Sequence, residues 1–185
     1  TPEELCERFT LERVNAAAAI FDPKRLDDLN GIHIRRMSTD DLVEALEYHL
    51  SGTSKETRRL LIPMLRERMV TLADATRLCA PLLGDVRLDP ATEFPPKKVD
   101  QATAVAMIDA CIAAVEDGGL ADHDALLERI RAVADGAGVK SRDAFRVLYV
   151  AILGVPAGLP VIEAMEFLGK EKSLQRLREA RARLG

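Results

Sequence analysis

The chain has 185 residues, a formal net charge of −4, a pI near 5.5, 48% hydrophobic and 30% charged residues, 4% aromatics and no Trp. That length suits one or two small cores, and the acidic balance excludes a uniformly basic, nonspecific nucleic-acid binder, so any RNA contact has to come from local clusters of Lys and Arg. With aromatics so scarce, Leu, Ala, Ile and Val must fill the interior, and usage rich in Ala, Leu, Glu and Arg favours helices.

Thr1, Pro2 and Glu4 read as cap, first position and box partner of an opening helix that carries Leu5 and Phe9 and breaks near Thr10. Leu11 to Asn15 leads through Ala16–Ala19 to Phe21. Asp22 then caps a short helix begun by Pro23, with Leu26, Leu29 and Ile32 on one face and Gly31 expected to end it. Ser38 and Asp41 form a box-like start for an amphipathic helix over 40–50, carrying Leu42, Val43, Leu46 and Leu50. The next helix, 55–69, turns Leu60, Leu61, Met64, Leu65 and Met69 inward and Arg58, Arg59, Arg66 and Arg68 outward, and Pro63 is expected to kink or split it. After a helix over 73–83, the stretch 83–98 holds Gly84, Pro90, Pro95 and Pro96 and divides the chain into expected domains 1–88 and 89–185.

The second half repeats the helical spacing. Val99 to Val115 is apolar at helical intervals and stops at Asp117-Gly118-Gly119; a helix over 123–134 follows, with Leu126, Leu127, Ile130 and Val133 as its stripe and His123 as a surface or capping residue. The 136–140 turn lacks the glycine spacing of a phosphate loop. Ser141 is expected to cap a helix through Leu153, and 154–160 forms a rigid loop before a helix over 161–168. The tail carries Lys170, Lys172, Arg176, Arg178, Arg181 and Arg183 against Glu171 and Glu179, which suits either a solvated last helix or a surface that steers phosphates. Lys140, Arg142 and Arg146 form a second basic cluster, and Tyr149, one turn after Arg146, reads either as a core residue or as a platform for an unstacked base, a contact worth about 1–3 kcal/mol.

Cys6, Cys79 and Cys111 are far apart without a CxxC and read as reduced thiols; with His33, His49 and His123 they show no ligand spacing, so no metal is expected. No apolar run approaches the roughly 18 residues that span a bilayer, no signal-peptide pattern is visible, and the expectation is a cytoplasmic chain without membrane contact. Asp27-Asp28 and Asp40-Asp41 are adjacent pairs whose side chains diverge on a helix, so no catalytic residue and no cofactor site is assigned. The start at Thr1 suggests a piece of a longer protein.

Phe21-Asp22, Lys24, Leu26, Leu29-Asn30-Gly31 and Ile34-Arg35 closely resemble the junction motif of bacterial glutamyl-tRNA synthetases, where the tRNA stem-contacting region passes into the anticodon-binding region. Leu5, Phe9, Leu11 and Val14-Asn15 resemble the run before that motif. Gly138-Val139-Lys140, Ala151, Gly154, Glu163, Leu168-Gly169-Lys170-Glu171, Leu174, Arg176 and Leu177 resemble the family's C-terminal motif. The resemblance implies an all-α chain of two consecutive helical bundle or cage subdomains of the class I synthetase anticodon-binding type, with 1–36 ending the stem-contact region. Its role would be anticodon recognition for a glutamate–tRNA ligase.

By the same resemblance, Arg66 to Leu72 matches a turn whose second basic residue reads an anticodon base, which points to Arg68; a planar fork of donors suits a base edge or phosphate. Two other family positions differ: Tyr149 stands where the family has a base-reading Arg, and Gly158 where it has a loop Thr, with Leu153 in place of a further Thr and Leu82-Leu83 in place of an aromatic pair. Arg146 is placed to supply the displaced charge, and Arg35, Arg66, Lys140 and Arg142 are candidates for the tRNA backbone. The family's nucleotide-binding "HIGH" and "KMSKS" motifs do not occur here, so ATP and Mg belong to an upstream catalytic domain of the same protein; tRNA for glutamate is the expected partner and a monomer the expected state. Tyr149 and Gly158 also motivate a different reading, a freestanding relative that has lost anticodon reading and serves as a protein-interaction scaffold.

Overall fold

Leu42, Leu46, Leu61, Leu65 and Met69 are each 1% exposed or less, and their joint burial builds the first half of the molecule. In a computed structural model, described for residues 2–14, 22–86, 92–120 and 122–185, these side chains lie on α3 (Thr39–Ala45), the turn after it, α4 (Lys55–Arg66) and the turn that ends α4. Before them come α1 (Pro2–Arg8), a 3₁₀ turn (Leu11–Arg13) and α2 (Pro23–Arg36); after them come α5 (Asp74–Leu83), α6 (Gln101–Gly118), α7 (His123–Gly136), α8 (Ser141–Leu153), α9 (Val161–Leu168) and α10 (Lys170–Leu184). No strand occurs among the described residues.

α6 is the hub of the second half, packed on α7, α10 and α8, while α9 reaches back to α4 and α5. One continuous cluster of buried apolar side chains therefore runs from Ile34 to Leu184. The expected boundary at 88/89, the Thr1 cap and the Ala16–Phe21 approach lie outside the described residues.

Local chemistry explains most helix starts. Asp22 accepts from the backbone of Lys24 at 3.0 Å, and Ser38 accepts from Asp41 at 3.1 Å, as their positions ahead of the apolar pattern require. Several expectations are corrected. Gly31 does not end α2, which continues to Arg36, because its backbone lacks the positive φ that a glycine stop takes. Pro63 does not split α4, because it lies on the exposed side where water can take the carbonyl it leaves unbonded. Leu60 is exposed, and Arg58 is buried with its guanidinium donating to Val43 O at 3.0 Å and Thr53 O at 2.7 Å. These two bonds close the chain between α3 and α4. Ser141 is the first residue of α8 and not its cap, and Asp122, not His123, caps α7 by accepting from Ala125 N at 3.0 Å. His123 instead contacts Glu166 of α9 at 2.8 Å.

Much of the tail's charge is paired along the surface of α6, and Arg176 alone of its cations is buried. Arg178 pairs with Glu116 at 2.6 Å, Arg181 with Asp109 at 3.0 Å, and Lys170 donates to Glu116 O at 2.9 Å, fastening α10 along α6. Arg176, 5% exposed, donates to Ile152 O at 2.8 Å and Gly84 O at 2.9 Å, so one guanidinium satisfies carbonyls at the ends of both α8 and α5. Beside it Gly154 closes α8 at φ +70, and a Cβ built there would lie 2.7 Å from Val86 Cγ1.

Arg176→Met is expected to lower unfolding stability by about 2–4 kcal/mol in urea titrations, since it leaves two inward carbonyls without a donor. Gly154→Ala combines a left-handed cost of about 1–2 kcal/mol with a clash of the new methyl against the Val86 side chain, and its thermal midpoint should fall by several degrees.

Candidate nucleic-acid interface

α4 runs out at Arg66, and the chain must reverse before α5 begins at Asp74. Asp74 makes that reversal rigid. Its carboxylate accepts from Thr71 N at 2.8 Å, Val70 N at 3.0 Å and Thr71 Oγ1 at 3.2 Å, with Arg77 at 3.4 Å. The Thr71 backbone N–H above all, then the other donors, hold this carboxyl below the usual Asp range against the opposing effect of burial. From the other side Asn30 of α2 donates its side-chain amide to Val70 O. Asn30 thus docks α2 on the turn through its amide.

Arg68 projects from this turn and is exposed. Its guanidinium donates to Gly158 O at 3.1 Å, across 90 positions of sequence, which uses one of its five N–H donors. Gly158 itself has ordinary contacts only, 3.5 Å to Leu153 Cδ1 and 3.7 Å to Val155 Cγ2 from an added Cβ, so its backbone and not its missing side chain makes the contact. The structure therefore brings two of the sequence-selected residues, Arg68 and Gly158, into direct contact.

The other candidates are distributed differently. Arg66 is engaged within the protein, donating to Arg35 O at 3.0 Å, to Met37 O and to Thr39 Oγ1 at 3.2 Å, where it closes the end of α2. Arg35 is exposed along α2, and Lys140 and Arg142 are exposed at the start of α8. Arg146 is half-buried, 3.6 Å from Asp143, and Tyr149 is half-buried against the apolar core. Asp74 was not singled out in the sequence; its only signal was an Asp four residues after Val70, a spacing that any surface turn shows.

Cys79 and Cys111 are buried, and burial pushes both thiols up to about 12, so neither is a nucleophile near neutral pH. Among the described residues no group of His, Cys, Asp or Glu converges to hold a metal, and no helix is long and apolar enough to cross a membrane.

The chain is thus all-helical among the described residues, with an exposed Arg on a turn held by Asp74 and Asn30. A family profile described as an anticodon binding domain matches residues 41–181. This chain belongs to the anticodon-binding domain family. The glutamate–tRNA ligase of Roseiflexus sp. strain RS-1 is 34% identical over 192 residues, spanning 98% of this chain and 38% of that protein. That of Acidothermus cellulolyticus is 37% identical over 201 residues, spanning 97% and 38%. In structure, the glutamate tRNA ligase of Elizabethkingia meningosepticum superposes with a TM-score of 0.74 at 20% identity, covering 99% of this chain and 37% of that one, which shows the shared fold. The resemblance read from the junction and C-terminal motifs and the all-α class are both borne out, and the scaffold alternative finds no support. This anticodon-binding domain spans somewhat under two fifths of the length of these relatives.

The depressed Asp74 carboxyl has a defined pH signature. Its contribution is present above the ordinary Asp value of about 3.9 and is lost as pH falls through the lower folded value. Asp74→Asn should destabilise the domain by about 1–2 kcal/mol at neutral pH, and the difference from the parent should shrink in urea titrations as the pH is lowered through the depressed folded value of this carboxyl.

Proposed function

We propose that this domain holds the anticodon loop of the glutamate tRNA for a glutamate–tRNA ligase whose catalytic domain, with its ATP, Mg and glutamate, lies upstream in the same polypeptide. The domain by itself performs no chemistry, needs no cofactor of its own and acts as a monomer. The observation that carries this reading is Arg68, exposed on a turn braced by Asp74 and Asn30 and oriented by the Gly158 carbonyl. A guanidinium so held keeps its planar donor fork in one orientation before RNA arrives, which lowers the entropy lost on binding and favours bidentate contact with a base edge.

The other residues take graded roles. Arg146 and Tyr149 share a face of α8 one turn apart, where Arg146 supplies charge and the exposed part of Tyr149 supplies a stacking edge. Lys140, Arg142 and Arg35 act through phosphates, a sequence-independent contribution that falls with salt. Arg66 contributes by holding the end of α2.

Binding of the chain to a tRNA with the glutamate anticodon, compared with one of altered anticodon at two salt concentrations, tests this. The parent should prefer the cognate loop, and Arg68→Ala should remove about 1–3 kcal/mol of that preference while leaving the thermal midpoint unchanged. A folded parent with no preference between the two tRNAs would overturn the reading.

A further inference from the structure

Leu60 is 66% exposed, and among the described residues from Ile34 onward no other Leu, Ile, Val or Met is as open to water. It does not stand alone. Pro63 and Met64 follow it one turn on along the same face of α4, and α9 contributes Glu163, Glu166 and Phe167 at the same i, i+3, i+4 spacing. These six residues line one groove of about 400 Å³ between the two helices. Leu60, Pro63, Glu163 and Glu166 are exposed, Phe167 is half-buried and Met64 is the one buried member, so the apolar surface is open from outside. The volume is near the lower end of the range for binding pockets, about 300–1,000 Å³, and suits a few side chains of a docked segment.

The charge around the groove selects its occupant. No Lys or Arg lines it. Glu163 makes no hydrogen bond or ion pair among the described residues, and Glu67, one turn beyond Pro63 on the same side of α4, is likewise exposed and without a partner there. Glu166 contacts His123 Nε2 at 2.8 Å through one carboxylate oxygen. The cations nearest in sequence are engaged elsewhere: Arg59 pairs with Asp40, Arg66 donates to Arg35 O, and Lys170 donates to Glu116 O. Carboxylates set around an apolar surface repel the phosphates of RNA and attract Lys and Arg, so this groove is no extension of the nucleic-acid surface. Apolar residues presented at helical spacing along a groove are the counterpart of the apolar face of an amphipathic helix.

We propose that the groove between α4 and α9 is a protein-docking site for a short cationic amphipathic helix of another protein. An apolar side chain of that helix seats against Leu60, Pro63 and Phe167, and Lys or Arg residues flanking it pair with Glu163, Glu166 and Glu67. The site uses none of the residues assigned to RNA, and it stands whether or not Arg68 reads a base. α4 belongs to the first half of the molecule and α9 to the second, so the occupant contacts both halves at once.

The test is fluorescence anisotropy with three labelled synthetic peptides: a Leu/Lys helix with Leu at i, i+3, i+4 and i+7, its Leu/Glu counterpart, and a scrambled Leu/Lys peptide. Each is titrated with the parent chain, Leu60→Gln, Glu163→Lys and, as a control at the far end of α7, Asp135→Lys. All three positions are exposed, so the unfolding curves of the variants should match that of the parent. The parent should bind the Leu/Lys helix saturably and in preference to the other two peptides. Leu60→Gln and Glu163→Lys should each weaken that binding about fivefold to tenfold, and Glu163→Lys should also flatten its salt dependence. Asp135→Lys should bind as the parent does.

Equal binding of the scrambled or Leu/Glu peptide, or parent-like binding by both groove variants, would overturn the site. A changed affinity of Leu60→Gln for an anticodon-loop RNA hairpin would assign the groove to RNA instead. A parent dimer in sedimentation that Leu60→Gln dissociates would assign it to a second copy, and a ligase carrying the upstream domain that fails to bind the peptide would assign it to that domain; each of these results overturns the proposal. Failure of anticodon preference in the parent, with peptide binding intact, would overturn the RNA reading and leave the groove standing.

Discussion

The buried guanidinium of Arg176 is the contact on which the arrangement of this domain depends. Taking that charge out of water is costly, and burial lowers its pKa, opposed by the nearby carboxylates of Asp85 and Glu179. The cost is offset by bonds to Ile152 O and Gly84 O, carbonyls that helix ends leave without partners. One side chain of α10 thereby ties the end of α5, in the first half, to the end of α8, in the second. Removing it frees two elements at once, because the same guanidinium donates to both carbonyls.

From that point the geometry passes directly to the functional surface. Where α8 ends, Gly154 turns left-handed against Val86, and the seven-residue loop to α9 begins from a fixed direction. That loop presents the Gly158 carbonyl to Arg68. The opposite partner is equally constrained: Asp74 holds the turn from below and Asn30 from the side, so the guanidinium of Arg68 approaches the loop in one orientation. In the proposed role, an Arg supported from two distant parts of the chain loses little freedom when RNA binds, and a flexible Arg on an unbraced turn would lose more.

Charge is partitioned on the same logic. The chain is acidic overall, and its most basic stretch, the tail, is spent on holding α10 to α6. Counting Lys and Arg along the sequence points to the tail, whereas pairing in three dimensions shifts attention to Arg142 and Arg146. Net local charge is a poor guide wherever carboxylates from another helix lie opposite. Asp109 and Glu116, roughly 60 to 70 positions upstream, are the carboxylates that decide the matter here.

What could be read from the residues alone was whatever depends on near neighbours. The helix starts at Asp22 and Ser38, the buried stripes of α3 and α7, the all-α class and the family motifs were legible because capping, 3.6-residue periodicity and short-range motifs are local physics. Local rules also misled where packing outweighed them. Gly31 reads as a stop, yet it keeps a helical backbone and α2 runs on to Arg36; Arg58 reads as exposed, yet the carbonyls of Val43 and Thr53 draw it inward. Only the tertiary structure decided that Arg68 meets Gly158 and that Arg66 closes the end of α2. Each of those relations joins residues between 29 and 90 positions apart, and such separations leave no periodic trace in a sequence.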